Sequence, residues 1–222
     1  MHGKTCLVTG ATSGIGKATA LALAGLGATL VLVCRDGSKG REVTRQMRAA
    51  TGNETINVLV ADLSLQRQIR RLAADFNRKH ERLDVLVNNA GAMFSHRLET
   101  DEGIEKTLAN LLTTYELARR LRDSGVAVNA LHPGYVATNI LPLDRASGPV
   151  RLLKPLWHIA KHAILTAEQG AATPVYLASS LEVRNVSGLY FEKCMPVASS
   201  VASRDRNLQA RMWAISEQLT GG

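Results

Sequence analysis

Apolar residues fall along the first 88 positions of this chain in two alternating rhythms. Short unbroken apolar runs at Lys4–Thr9, Thr29–Cys34, Ile56–Ala61 and Leu83–Asn88 read as strands. Continuous apolar strands, rather than alternating ones, are the mark of a parallel sheet covered on both faces. Between them, apolar positions recur at helical spacing. Gly14–Leu26 is the first helix, with Ile15, Ala18, Leu21 and Ala22 on one face. A second helix runs from an N-cap at Ser38 to Gly52, and a third spans Leu65–Lys79. This alternation predicts an α/β fold, a doubly wound parallel sheet of the Rossmann type, in a single domain over residues 1–222.

The second half is less regular. Gly103–Leu121 reads as one amphipathic helix, with Ile104, Leu108, Leu111, Leu112, Tyr115 and Leu121 near one face. Gly125 ends it. Val126–Leu131 follows as a strand, and His132-Pro133-Gly134 as the loop after that strand. Helical segments are expected near Val150–Leu165 and Ala167–Ser179, a last strand at Gly188–Phe191 and a terminal amphipathic helix at Arg204–Leu219.

Composition narrows the function classes. The chain has 222 residues, enough for a sizeable core, and only 4% aromatics, so aliphatic side chains must fill it. The formal charge of +8 suits an anionic ligand. The cations are spread over helices, as at Arg67, Arg70 and Arg71, or Arg204, Arg206 and Arg211, which reads as solvated helix faces. No nucleic-acid-binding signature accompanies them, so no nucleic-acid partner is expected. Cys6, Cys34 and Cys194 have neither disulfide nor metal spacing, and His158 and His162 lack a third ligand, so no metal site is expected. The apolar run Ala18–Cys34 is slightly short for a membrane span and is broken by Gly25 and Gly27. With strand residues beginning by Thr5 and no disulfide framework, the expected location is cytoplasmic.

The candidate chemistry is a phosphate-binding turn. Residues 9–16 read Thr-Gly-Ala-Thr-Ser-Gly-Ile-Gly, between the first strand and the first helix. Gly10 allows a tight turn, and Gly14 and Gly16 let a pyrophosphate and the sheet approach the backbone. With Thr12, Ser13 and Ile15 they form the candidate cofactor turn, where the helix start points free N–H groups at phosphate. Strand two ends in Cys34-Arg35-Asp36. An acidic residue there would hold the adenosine ribose, whereas Arg35 offers a guanidinium to a 2′-phosphate. Arg35, reinforced by Lys39 or Arg41, favours NADP over NAD.

Together with Asn88-Asn89-Ala90-Gly91, this turn resembles the cofactor half of the short-chain dehydrogenase/reductase family. The resemblance implies that Asp62-Leu63 contacts the adenine, that Asn89, Ala90 and Gly91 line the adenine ribose, and that Pro133-Gly134 with Thr138 covers the nicotinamide amide and diphosphate. Gly188-Leu189-Tyr190-Phe191, Trp213 and the stretch Ser216–Thr220 look most like the retinol-dehydrogenase-like branch. The implied substrates are small apolar alcohols, aldehydes and ketones.

The family's chemistry uses a Tyr with a Lys four residues on, and a Ser upstream. Here Tyr115 is followed by Arg119, Tyr135 by Asn139, Tyr176 by Ser180 and Tyr190 by Cys194, so no catalytic residue is assigned. Gly103–Thr107 runs straight into Leu108–Leu112, where the branch would carry most of a helix, a strand, a loop and a helix start. A βα unit with an active-site loop amounts to about 50–60 residues. The expected fold is therefore one helix–strand unit shorter, with the Pro133-Gly134 loop drawn toward strand four by about 5 Å. The family pairs subunits through helices flanking that strand, so a dimer depends on a surface this chain lacks. Lys106 and Tyr115 are read as a solvated Lys and a core Tyr, and His132 as structural.

Overall fold

The computed structural model describes residues 1–91, 110–134, 136 and 165–221. Its first half is built as the hydrophobic pattern implies. Strands β1 (Thr5–Thr9), β2 (Thr29–Cys34), β3 (Ile56–Val60) and β4 (Val85–Val87) form a parallel sheet of order β3-β2-β1-β4. Helices α1 (Gly14–Gly25), α2 (Gly37–Thr51) and α3 (Gln66–Lys79) cross over between them.

Successive residues of a strand point to opposite faces, so each strand feeds two cores. Cys6, Val8, Leu30, Leu32 and Ile56 pack with Ala20, Leu23 and Ala24 of α1 and Val43 and Met47 of α2. Leu7, Val31, Val33 and Leu59 pack on the other face with Leu72 and Phe76 of α3. Both faces of β1 and β2 are covered, which is why these strands lack a polar alternation, whereas Val60 of β3 and Leu86 of β4 stay exposed among the described residues.

Several boundaries differ from expectation for local reasons. The N-cap of α2 is Asp36, not Ser38: its carboxylate accepts the N–H groups of Ser38 and Lys39 at 2.8 and 3.1 Å. Asp84 sits just before β4 and accepts the Thr5 N–H at 2.9 Å and the Lys4 ammonium at 3.1 Å, together with Arg82. These bonds pin the start of β4 to the start of β1.

The second half departs further. Helix α4 (Asn110–Arg120) is the described part of the helix expected over 103–121. Strand β5 is Ala130–His132, beginning later than expected. Side chains take the bonds its earlier residues would place in a ladder. Val128 N–H donates to Ser187 Oγ, Asn129 Nδ2 donates to Val186 O, and Leu189 N–H donates to Asn129 Oδ1. Helix α5 (Ala167–Ser179) lies where expected and packs on α1. Strand β6 (Tyr190–Glu192) returns as a hairpin to β7 (Met195–Val197), a strand the hydrophobic pattern did not reveal. Helix α6 (Arg206–Thr220) closes the fold, capped by Asp205 through the N–H groups of Asn207 and Leu208. Of the helix expected near Val150–Leu165, residues 150–164 lie outside the described residues, and Leu165 forms an isolated bridge with Val136.

The sheet does not close up. β5 pairs with β6, in a separate sheet of order β5-β6-β7, and the described ladder of β4 reaches only β1. The expected 5 Å shift of the Pro133-Gly134 loop toward β4 is thus overturned. Where the expectation joined β4 to β5, the sheet is split between them. β5 and β6 run parallel, so the chain between them must cross over, and α5 lies in that connection.

Candidate functional site

The carboxyl ends of β1, β2, β3 and β4 meet along one edge of the four-stranded sheet, where ligands bind in open parallel sheets. β1 passes through Gly10, at φ +65°, into the turn, and Gly14 follows at φ +52°. Helix α1 then starts without a side-chain cap, because Ser13 makes no capping bond, and its first turn holds no acidic residue. That leaves the positive end of the helix dipole and the first-turn N–H groups of Gly14, Ile15 and Gly16 available to an anion. A dinucleotide pyrophosphate fits this donor set. Thr12 and Ser13 are half-buried in the same turn.

Gly16 is required by crowding rather than by conformation. A Cβ placed there would lie 2.2 Å from Asn89 Nδ2 and 2.5 Å from Gly10 O. The side chain of Asn89 faces back into this crowded point and donates to Thr9 O at 2.9 Å. Asn89 therefore ties the loop after β4 to the end of β1, with Ala90 and Gly91 exposed beyond it.

Thr9 completes that clamp, and motif reading missed it. Its hydroxyl oxygen accepts the N–H groups of Asn89 at 3.0 Å and Ala90 at 2.9 Å. A hydroxyl at the last position of an otherwise apolar strand, directly before the glycine turn, was the available signal.

At the end of β2, Arg35 is exposed and has no carboxylate partner among the described residues. Asp36 beside it is committed to the start of α2. Arg41 approaches the same corner, its guanidinium 3.3 Å from the position of a Cβ on Gly37. Burial, and after it the Asp36 carboxylate, push the Cys34 thiol above its usual range.

Asp62 and Leu63 follow β3. The Asp62 carboxylate accepts the Ser64 N–H at 2.9 Å, and its own N–H donates to Gln68 Oε1 at 2.8 Å. Leu63 packs against the α3-side core. Gln68 is a second positioning residue that the motif did not announce.

The loop after β5 reaches the turn indirectly. Gly134, at φ +86°, donates its N–H to His132 Nδ1 at 3.1 Å, so this imidazole shapes the Pro133-Gly134 turn. Val136 and Ile15 converge on Gly170 of α5, where a Cβ would meet them at 2.6 and 3.2 Å. Ile15 thus packs with its side chain while its backbone faces the turn. Thr138 and Lys106 lie outside the described residues. The hydroxyl of Tyr115 donates to Ser199 Oγ at 2.7 Å, in the segment between β7 and α6.

A family model described as short chain dehydrogenase matches residues 4–115, half of the chain. The chain belongs to the short-chain dehydrogenase family. Within it, the chain falls in the retinol-dehydrogenase-like branch. It is 32% identical to retinol dehydrogenase 14 of Homo sapiens, covering 100% of this chain and 87% of the relative. That match runs over 296 residues, well beyond the 222 of this chain. A protein from Mycobacterium paratuberculosis, of 25% identity, superposes with a TM-score of 0.74, covering 99% of this chain and 94% of that one. L-sorbose reductase from Gluconobacter frateurii, solved with NADPH and L-sorbose, shares the fold at 19% identity and a TM-score of 0.70, covering 86% of this chain and 95% of that one. Among the described residues no helix is long and apolar enough to cross a membrane, and no three metal-ligating side chains cluster.

Proposed function

We propose that this short-chain dehydrogenase binds NADP(H) and is impaired in hydride transfer to the apolar alcohols, aldehydes or ketones its branch handles. The carrying observation is the division of labour after β2: Asp36 spends its carboxylate on capping α2, while Arg35 stays exposed beside it. Both cap bonds fall on Asp36 Oδ1, which fixes that carboxylate at the start of α2, and the exposed guanidinium of Arg35 matches a 2′-phosphate. The first-turn N–H groups of α1 would hold the pyrophosphate, and Asp62, Leu63, Asn89, Ala90 and Gly91 the adenosine. Pro133, Gly134 and Thr138 would hold the nicotinamide end. The bound nicotinamide would supply the hydride.

Proton transfer is where this chain falls short. A general acid must reach the moving proton. No Tyr here has a Lys four positions on, and the hydroxyl of Tyr115 is engaged with Ser199. The excess length of the matched relatives, and the split between β4 and β5, support the reading that a helix–strand unit carrying those groups is absent.

Fluorescence titration with NADPH and NADH, on the wild type and Arg35→Gln, tests the cofactor half. NADPH should bind more tightly, and Arg35→Gln should weaken it by about tenfold while leaving NADH nearly unchanged. Equal affinity for the two cofactors would refute the assignment of Arg35. NADPH oxidation with a long-chain apolar aldehyde should not exceed the protein-free rate. Turnover that survives Tyr115→Phe and Lys106→Ala would refute the impairment.

A further inference from the structure

A polar cleft shares no residue with the glycine turn. It has a volume of about 700 Å³ and opens beside the residues that lead into β5 and β6. Three segments converge on it: the end of α4 with the following turn, the loop 184–188, and the first residue of α6. Each brings arginine. Arg119 and Arg122 come from the first, Arg184 from the second and Arg206 from the third, with the hydroxyl-bearing Ser187 between them. The one carboxylate lining the cleft among the described residues belongs to Asp123.

Arg119 is occupied: it pairs with the buried Glu116 and approaches Gln209 Oε1 at 3.3 Å. Arg122, Arg184 and Arg206 are exposed and have no carboxylate within ion-pair distance among the described residues. Three unpaired guanidinium groups around one concavity repel each other, and a cleft of this size falls in the range of small-ligand sites, about 300–1,000 Å³. An anion with several oxygens relieves that repulsion, and the planar fork of arginine matches phosphate geometry. Gly125 and Gly188, both at positive φ, keep the two loops bordering the cleft free of side chains at their bends.

We propose that this cleft is a binding site for a phosphate-bearing ligand, independent of the cofactor turn. Arg122, Arg184 and Arg206 grip the phosphoryl oxygens, Ser187 holds the Val128 backbone at the edge of the cleft, and Glu116 holds Arg119 as the fixed wall. A phosphate on a free small molecule and one on a lipid headgroup share this chemistry of recognition.

The test uses the full chain saturated with NADPH, so that the glycine turn does not compete for the probe. Pyrophosphate is titrated by calorimetry, and vesicles of phosphatidylcholine with or without phosphatidic acid are tested by co-sedimentation. The triple variant R122Q/R184Q/R206Q is compared with R45Q/R71Q/K79Q, which removes the same charge from exposed positions on α2 and α3. Melting curves of both variants report folding. Saturable pyrophosphate binding that falls at least about tenfold in the cleft variant and stays near wild type in the control supports a free phosphate ligand. Cleft-dependent sedimentation with phosphatidic acid, without binding of pyrophosphate, supports a headgroup. Equal losses in both variants, no loss in the cleft variant while it still melts as wild type, or no binding of either probe, overturns the proposal. If NADPH itself fails to bind, the comparison between the two triple variants still decides, because it does not depend on the cofactor reading.

Discussion

Replacing Thr9 by valine isolates the clamp that sets the mouth of the glycine turn. The side chains are nearly the same shape, so no cavity is created, and Thr9 is only 5% exposed. What is lost is one hydroxyl oxygen that accepts two N–H groups, from Asn89 at 3.0 Å and Ala90 at 2.9 Å. A hydrogen bond contributes about 1 kcal/mol net, and a donor left without an acceptor in a partly buried place costs about 1–3 kcal/mol. Ala90 is exposed, so water can recover part of its loss, whereas Asn89 is half-buried. The expected destabilisation is therefore about 2 kcal/mol. Thr9→Ser keeps the oxygen and loses one methyl group, about 0.8 kcal/mol. Urea denaturation followed by circular dichroism should rank wild type, serine and valine in that order of stability, with similar slopes. NADPH affinity should fall in the valine variant and hold in the serine variant, because only the former frees the Asn89-Ala90 loop. A valine variant as stable as the serine variant would show that the two N–H groups are satisfied without Thr9, and the clamp would be refuted.

Three further outcomes are expected. Gly16→Ala places a methyl 2.5 Å from Gly10 O, a backbone atom that cannot rotate away, so overpacking should cost about 1–3 kcal/mol. Adding Asn89→Ala should not restore stability, since it removes only the side-chain clash; full rescue in thermal melts would contradict this. Asp84 titrates below its usual range: burial raises it, but the Thr5 N–H, Lys4 and Arg82 together outweigh that effect. Its stabilisation is present above the unfolded carboxylate pKa near 4 and is lost as pH falls through the lower folded value. The melting-temperature gap between wild type and Asp84→Asn should therefore be full at pH 6 and shrink on acidification, and a gap independent of pH would count against the pairing. Glu116→Gln removes a buried charge from between Arg119 and Arg120, which are partly exposed and can be rehydrated, so a loss of about 1–2 kcal/mol is expected in denaturant. A neutral result there would mean the pairs add nothing to the packing of α4 on α6.

The first 88 residues were largely legible because their information is local. Apolar runs, helical spacing and the glycine turn depend on neighbours in sequence, and the structure places β1 to β4 and α1 to α3 within a few residues of expectation. The missed N-cap is instructive. Ser38 and Asp36 are both capping residue types, and the backbone chose the one that immediately follows Arg35. The hairpin β6–β7 escaped notice because its two-residue turn is Lys193-Cys194, at φ +51° and +63°, where Asn-Gly is the usual signal. Tertiary pairing holds these two side chains in a conformation their own propensity disfavours.

The sequence by itself determined the family, the glycine turn between the first strand and the first helix, the arginine directly after β2 and the absence of a Tyr with a Lys four positions on. These are matters of residue type and short spacing. Only the tertiary structure decided that β5 leaves β4 for β6, that Asp36 is spent on capping α2, that Thr9 and Asn89 lock two strand ends together, and that three segments bring arginines to one cleft. Each of these depends on which atoms meet across long stretches of chain. Strand edges can pair with more than one partner, and the choice follows from the connections and side-chain bonds that the folded chain can satisfy at once.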